Sequence, residues 1–211
     1  MLTPDYRDYV VAHGSQLDEI ARDLVAETRA TSPREAGMLI EPEQAAFMTL
    51  LTKIIGVRRA VEIGTFTGFS ALCIARGLPP DGSLLCLDRN QEWTAVARRY
   101  WARAGVDDRI ELRLGDALPT LRSLPSAETF ALAFVDADKT GYQDYVEELY
   151  GRMTPNGVVL LDNTLRQGRA LAPTTDDDHA VVALNAALAV DPRWETVLLP
   201  VADGLTVLRK R

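Results

Sequence analysis

Short apolar runs and longer amphipathic segments alternate through the middle of the chain. The apolar runs predict strands, because they are too short for helices and lie between turn residues. They occupy residues 60–63, 84–87, 110–114, 130–135 and 158–161. The segments between them have helical spacing and predict helices at 69–77, 91–104, 117–124 and 142–152, with a turn at 155–157. Strands that alternate with helices predict a parallel sheet covered on both faces.

The two ends of the chain depart from this alternation. The first 30 residues predict one amphipathic helix, residues 31–37 interrupt it, and Pro42 begins a second helix that Gly56 ends. After a helix at 180–189, two apolar runs flank Asp203-Gly204, which predicts an antiparallel hairpin. We therefore expect one α/β domain over residues 1–211. It would comprise N-terminal helices (1–56) and a core (57–211) with a mostly parallel seven-stranded sheet.

Composition and charge narrow the class of protein. The net charge of −7 and the pI of about 4.9 argue against a nucleic-acid-binding protein, which needs a basic face. The sequence has no run of 18 apolar residues and therefore predicts no membrane span. Its first residues lack the apolar core of a signal peptide. Cys73 and Cys86 lie in apolar runs, so we expect buried free thiols and a cytoplasmic protein.

The turn after the first strand, residues 62–68, has the features of a cofactor-binding loop. Its glycines allow a ligand to approach the backbone, and the next helix offers free N–H groups. Phe66 and Phe69 replace two glycines of the dinucleotide fingerprint, so a pyrophosphate is poorly accommodated. Asp88 ends the second strand, where a carboxylate can accept hydrogen bonds from a ribose. The turn therefore favours a ligand that has a ribose and a carboxylate but no phosphate.

Acidic residues follow several of the predicted strands. Asp88, Asp136 and Asp162 come directly after a strand, and Asp116 follows one after a single glycine. One such aspartate could simply cap the next helix, but in this architecture all four would face one crevice. The pair Asp136 and Asp162, with Asn163, provides hard oxygen ligands that suit Mg²⁺. The acidic run Asp176–Asp178, by contrast, is interpreted as a solvated loop and helix cap.

Four segments carry a resemblance to a known family: residues 61–70, 134–142, 161–165 and 199–205. They resemble the metal-dependent methyltransferases typified by catechol O-methyltransferase and caffeoyl-CoA O-methyltransferase, over most of the chain. The resemblance implies a Rossmann-like methyltransferase fold and a homodimer. It implies a methyl transfer from S-adenosylmethionine to a hydroxyl of a catechol-like aromatic diol, with Mg²⁺ (or Mn²⁺ or Ca²⁺) at Asp136, Asp162 and Asn163. Lys139 would be the general base, beside Asp136. The residues that would bind S-adenosylmethionine are Met38, Ile40, Glu62, Gly64, Ser70, Asp88, Ala117 and Asp136.

The resemblance is weakest where the acceptor would bind. Asp138 stands where the catechol enzyme has an aromatic residue, which favours the caffeoyl-CoA branch. Arg166 stands where the plant enzymes of that branch have an aromatic residue. Arg34, Arg166 and Arg169 could meet an anionic substrate tail or could be solvated, and Lys139 could likewise be an exposed lysine at a helix start.

Two other functions stay open from the sequence alone. An NAD-dependent oxidoreductase could use a similar sheet, but the missing glycines and the terminal hairpin argue against it. A non-catalytic cofactor-binding protein is also possible, since a fold does not fix an activity. The presence of all three candidate metal ligands argues against that alternative.

Overall fold

The computed structural model describes residues 3–126 and 129–211, and in them one mixed sheet organises the chain. Its seven strands have the order β3-β2-β1-β4-β5-β7-β6. The first five strands are parallel, and β7 is antiparallel to both β5 and β6. This confirms the predicted fold class, including the terminal hairpin. The strands are β1 (Arg59–Ile63), β2 (Ser83–Asp88), β3 (Ile110–Leu114), β4 (Phe130–Val135), β5 (Met153–Leu161), β6 (Trp194–Leu199) and β7 (Leu205–Lys210).

Helices cover both faces of the sheet and divide the core into two layers. Apolar residues of α2 to α5 fill one layer, and those of α6 to α8 fill the other. The helices of the described residues are α1 (Pro4–Ala12), α2 (Glu19–Thr31), α3 (Pro42–Ile54), α4 (Phe69–Gly77), α5 (Gln91–Arg103), α6 (Ala117–Ser123), α7 (Tyr142–Arg152) and α8 (Asp176–Val190). Short 3₁₀ turns complete the connections, among them Asp107–Arg109 and Lys139–Gly141.

The prediction of one continuous helix over the first 30 residues is wrong. Helix α1 ends at Ala12, and α2 begins at Glu19. The Asp18 carboxylate accepts a hydrogen bond from the Ala21 N–H at 2.9 Å, and this N-cap begins a new helix. The apolar spacing continued across the break and hid it, although Gly14 and Asp18 are residues that commonly interrupt or start helices.

Two further expectations about the strands need correction. Residues 155–157 do not form a separate turn but lie inside β5, where the pairing with β4 shifts register and Asn156 has a φ of 63°. Strand β3 is not covered on both faces, because it lies at the edge of the sheet and is only partly buried. The two cysteines are buried free thiols, as predicted.

The turn between β1 and α4 packs directly against the end of β4. Gly64 has a φ of 87°, and a Cβ there would collide with the Asp136 carbonyl oxygen. Gly68 has a φ of 84°, and its carbonyl accepts a hydrogen bond from Trp101 Nε1 at 3.0 Å. Glycine is therefore required at both positions by conformation and by space. The turn between β1 and α4 is therefore held in a fixed position beside Asp136.

No helix in the described parts of the chain is long and apolar enough to cross a bilayer. The sequence likewise contains no run of 18 apolar residues. A cytoplasmic location stays a prediction.

The contact between α3 and α4 gives a test of the packing. A Cβ on Gly77 would lie 2.5 Å from Thr52 Cβ, so Gly77→Ala should lower the free energy of unfolding by about 1–3 kcal/mol through overpacking. Gly151→Ala is the matched control, because its Cβ would meet nothing within 4 Å in helix α7 and should stabilise the protein by about 0.5–1 kcal/mol. Urea unfolding measures both, and equal stabilities of the two variants would contradict the packing described.

Candidate active site

A cavity of about 800 Å³ lies at the carboxyl ends of the parallel strands. This is where open α/β sheets bind ligands, and the volume is in the range of ligand sites. Turns that follow the five parallel strands contribute to its walls, and residues 37–40 ahead of α3 close one side. Most residues that the sequence predicted for the site line this cavity: Met38, Ile40, Gly64, Ser70, Asp88, Ala117, Asp136, Lys139 and Asn163.

Asp88 holds the glycine turn of the cavity in place. Its Oδ2 accepts hydrogen bonds from the N–H groups of Thr65 and Phe66, both at 2.8 Å, and its Oδ1 accepts one from the Asn90 N–H at 2.7 Å. A carboxylate offers about four acceptor positions, so it can still accept from a ribose hydroxyl. Phe66 takes a left-handed φ of 52°, which these bonds help to stabilise. The sequence predicted the ribose contact but not this structural role.

Aromatic side chains form an apolar wall near Asp88. Phe66 and Trp93 meet edge to face with their ring centroids 4.9 Å apart, and both line the cavity. The sequence analysis did not include Trp93 in the site. Its position on α5, directly after the second strand, was the available signal. The wall suits the flat apolar face of a purine base.

Glu62 does not line the cavity, although it was predicted to contact the cofactor. It lies inside β1, between its sheet neighbours Cys86 and Phe134, and is fully buried. Cys86 Sγ donates to Glu62 Oε2 at 3.5 Å, and Oε1 has no hydrogen-bond partner among the described residues. Burial raises the pKa of Glu62 to about 8, so its carboxyl group is mostly protonated at neutral pH.

Asp136 and Asp162 lie side by side because β4 and β5 are parallel neighbours with Val135 opposite Leu161. Asp136 lines the cavity, whereas Asp162 is 3% exposed and lies behind the lining residues. The Asn163 N–H donates to Asp162 Oδ1 at 2.7 Å, and Asn163 itself lines the cavity with a left-handed φ of 55°. Burial and the neighbouring charge of Asp136 raise the pKa of Asp162. A cation placed here would relieve that repulsion.

These three residues fit a hard divalent cation, with one qualification on the donor set. In residues 3–126 and 129–211, no three carboxylate, imidazole or thiolate groups cluster as metal ligands. The candidate set has only two carboxylates, and the third donor is the Asn163 amide. Oxygen donors of this kind suit Mg²⁺, which keeps several positions for water or substrate. The chemistry of these donors therefore fits the predicted site.

Lys139 is buried beside this pair, which rules out the alternative of an exposed lysine at a helix start. It is 8% exposed and its Nζ donates to Asp136 Oδ1 and to Tyr142 Oη, both at 2.7 Å. The Tyr142 hydroxyl lies 3.0 Å from the Val135 carbonyl oxygen and can donate its proton there. Burial and the nearby carboxylates raise the pKa of Tyr142 well above its usual range, so the hydroxyl stays protonated. Sequence analysis missed Tyr142, although its place three residues after Lys139 was a signal.

The loop 163–171 bounds one side of the cavity. Arg166 and Arg169 line the cavity, whereas Arg34 is exposed elsewhere. The interpretation of the acidic run as solvated is wrong for Asp178, whose side chain has no exposed surface. Its role as a helix cap is confirmed, because Thr175 and Asp178 form a reciprocal capping box at the start of α8.

The fold and the site together define a class of protein. S-adenosylmethionine-dependent methyltransferases share three features with this chain. They are a parallel sheet with a terminal antiparallel hairpin, a glycine turn without the dinucleotide fingerprint, and an acid at the end of β2.

Comparison with known proteins gives the family. Residues 11–211 match the family described as O-methyltransferase. A probable caffeoyl-CoA O-methyltransferase 2 of Dictyostelium discoideum is 34% identical over 209 residues, which cover 96% of this chain and 90% of that protein. Caffeoyl-CoA O-methyltransferase 2 of Zea mays is 38% identical over 187 residues, with 82% and 70% covered. The SAH-bound methyltransferase PaMTH1 of Podospora anserina superposes with a TM-score of 0.89 at 27% identity, over 100% of this chain and 97% of that one.

The chain belongs to this O-methyltransferase family and is of the caffeoyl-CoA O-methyltransferase type. The alternative of an NAD-dependent oxidoreductase is therefore wrong.

The buried Glu62 predicts a pH dependence of stability. Between about pH 4.5 and pH 8 the folded protein keeps a proton on Glu62 that the unfolded chain has released. The free energy of unfolding should therefore fall as pH rises through this window, and Glu62→Gln should remove that fall. Between pH 5 and pH 8.5, the free energy of unfolding of Glu62→Gln relative to that of the wild type should rise by about 2–4 kcal/mol, as measured by urea unfolding. For the control variant Glu92→Gln, at an exposed position, the free energy of unfolding should depend on pH as it does in the wild type. The same dependence in Glu62→Gln would refute the assignment of a raised pKa to Glu62.

Proposed function

We propose that this enzyme transfers a methyl group to a hydroxyl of a catechol-like acceptor, with a divalent cation bound by Asp136, Asp162 and Asn163. The observation that carries the proposal is the pair of adjacent carboxylates with Lys139 on one of them, at the inner end of the cavity. A vicinal diol offers two oxygens to a cation that keeps open positions. The caffeoyl-CoA enzymes named among the relatives support the same acceptor chemistry.

The cofactor would occupy the part of the cavity between the glycine turn and Asp88. The ribose hydroxyls would donate to Asp88, and the Ala117 N–H at the start of α6 would face the adenine. Gly64 would lie beside the amino-acid end of the cofactor, and Met38 with Ile40 would cover it. Glu62 would act indirectly in this arrangement, from beneath the floor of the cavity.

When bound, S-adenosylmethionine supplies an electrophilic methyl group, and the cation supplies positive charge that favours an ionised hydroxyl. The residues of this chain orient the acceptor and remove its proton. Lys139 Nζ is held by Asp136 and by Tyr142 Oη, so its position beside the carboxylates is fixed. As a neutral amine, with its third ammonium proton released to solvent, Nζ would keep its two donated bonds and accept the proton of the acceptor hydroxyl through its lone pair.

The cation is tested by chelation and by one pair of variants. Exhaustive treatment with EDTA should abolish methyl transfer, and Mg²⁺ or Mn²⁺ should restore it, because acceptor activation and orientation both depend on the cation. Asp162→Asn should lower kcat/KM by at least about 10²-fold and weaken Mg²⁺ binding in calorimetry. Asp144→Asn changes an exposed carboxylate that also lines the cavity and should do neither. Full activity after chelation would rule out the cation.

The role of Lys139 is tested by kinetics with two acceptors. Lys139→Met should lower kcat by about 10²–10⁴-fold and leave the Kd of the cofactor nearly unchanged, because the group acts in the transition state. The loss should shrink for a nitrocatechol, whose hydroxyl is already ionised. Tyr142→Phe should give a smaller loss of the same kind, since Nζ keeps its bond to Asp136. Lys53→Met, at an exposed position, is the control; equal losses with both acceptors would assign Lys139 to positioning instead.

We also propose that the protein forms a homodimer through its N-terminal helices. No residue of α1 is buried, and Tyr6 and Tyr9 on α1 are 65% and 62% exposed. Helix α3, which contacts α1, leaves Ile54 71% exposed. Light scattering at micromolar concentration should give the mass of a dimer, and Ile54→Asp should shift it toward the monomer. A monomer mass for the wild type would contradict this.

A further inference from the structure

Helix α3 carries a primary amide on the face that it turns toward the core. The buried residues of this helix are Gln44, Ala45, Met48 and Thr52. Ala45 and Met48 belong to the apolar layer that α2 to α5 form on the sheet, and Gln44, at the start of the same face, is 1% exposed. Burying an amide costs free energy unless its polar atoms are bonded. The position of Gln44 therefore calls for a partner within the protein.

The amide nitrogen of Gln44 completes no hydrogen bond. Nε2 is buried, and nothing in residues 3–126 and 129–211 accepts its protons. The other polar residue of this face is satisfied, because Thr52 Oγ1 donates to the Met48 carbonyl oxygen at 2.8 Å. The unbonded donor thus belongs to the first turn of α3, directly after residues 37–40, which line the cavity.

The alternation along β5 shows which carboxylate lies on this side of the sheet. Successive side chains of a strand point to opposite faces. Leu160 packs in the layer of α2 to α5, whereas Leu161 packs in the other layer. The next residue, Asp162, is therefore expected on the side of α3.

Asp162 has room for a further donor. Its Oδ1 accepts the Asn163 N–H at 2.7 Å, and within the described parts of the chain this is the one hydrogen bond that its side chain completes. A carboxylate offers about four acceptor positions. Burial and the charge of Asp136 raise the pKa of Asp162, and the adjacent Gln44 amide lowers it. An unbonded donor and a carboxylate with free acceptor positions therefore lie next to each other behind the lining of the cavity.

The chemistry of an amide differs from that of the other group that holds this pair of carboxylates. Lys139 lies 2.7 Å from Asp136 Oδ1 and offsets the charge of that carboxylate. An amide donor is neutral, so it can fix the direction of a carboxylate and leave its charge intact. Groups that orient a charged ligand from behind in this way contribute strongly to cation binding.

We propose that Gln44 is a positioning residue, which donates from Nε2 to the Asp162 carboxylate and fixes the direction in which that carboxylate faces Asp136. Gln44 does not line the cavity, so it would act through Asp162 and touch neither the cofactor nor the acceptor. The contact does not depend on the reaction, whereas its effect on a cation rests on the proposed function.

NMR spectroscopy of the full chain tests the contact without any cation. In ¹⁵N-labelled protein, the side-chain amide signal that disappears in Gln44→Met belongs to Gln44. Its protons should exchange slowly with water, and Asp162→Asn should move the signal upfield, because the bond then loses its charged acceptor. Met48→Leu, one turn along the same buried face, should leave the signal in place. A Gln44 signal that Asp162→Asn does not move would overturn the proposal.

Calorimetry with Mg²⁺ tests the consequence for the cation. Gln44→Met removes the donor and keeps a side chain of similar size, so it should weaken Mg²⁺ binding by about 10–100-fold, the effect of losing a group that orients a metal ligand. The Kd of the cofactor should stay unchanged, because Gln44 does not line the cavity. The urea midpoint should stay the same or rise, since an unbonded buried amide is replaced by an apolar chain. The matched control Met48→Leu should change neither Kd.

The outcomes separate a positioning role from packing and from the proposed function. Unchanged Mg²⁺ affinity in Gln44→Met would overturn the positioning role. A joint loss of Mg²⁺ affinity, cofactor affinity and stability would do the same, because it would show that Gln44 only supports α3 and the residues 37–40 before it. If the wild type binds no Mg²⁺, the cation of the proposed function fails, and the NMR comparison then decides whether Gln44 holds Asp162.

Discussion

Two carboxylates at the ends of neighbouring parallel strands impose the main electrostatic constraint on this structure. The register of β4 and β5 places Asp136 and Asp162 side by side, and the burial of Asp162 keeps water from screening them. Lys139 balances one of the charges, and Tyr142 fixes the lysine. The arrangement still has a negative excess at the inner end of the cavity. The carboxylates therefore make this end of the cavity negative before any ligand is bound.

Another carboxylate, Asp88, organises the end of the cavity formed by the glycine turn. Asp88 accepts three backbone N–H groups, and two of them belong to the glycine turn that follows β1. Gly64 in that turn touches the backbone of Asp136, so the two halves of the site are joined through main-chain atoms. Because backbone contacts are rigid, the distance between Asp88 and the carboxylate pair is set by the sheet itself.

The sequence predicted the features that depend on local pattern. The five apolar runs and the terminal hairpin gave the sheet, and the strand-ending aspartates gave the residues at its edge. It did not distinguish Glu62 and Asp162, which lie behind the lining, from the residues that line the cavity, because strand position alone does not give burial. The break at Gly14 was hidden by continuous apolar spacing. The role of Asp178 depends on contacts with a loop that folds back onto α8, and such contacts are absent from local patterns.

The loop 163–171 has a consequence for how such enzymes diverge. Its left-handed residues and its two arginines are fastened to α8 and to the turn before β7, and the side chains that would perform the chemistry are fastened to β4 and α7. Substitutions in the loop would therefore change one wall of the cavity without disturbing the lysine or the paired carboxylates. Under the proposed function, related enzymes with this architecture can change the acceptors they use while the catalytic residues stay the same. Acceptor range should therefore vary faster among them than reaction type.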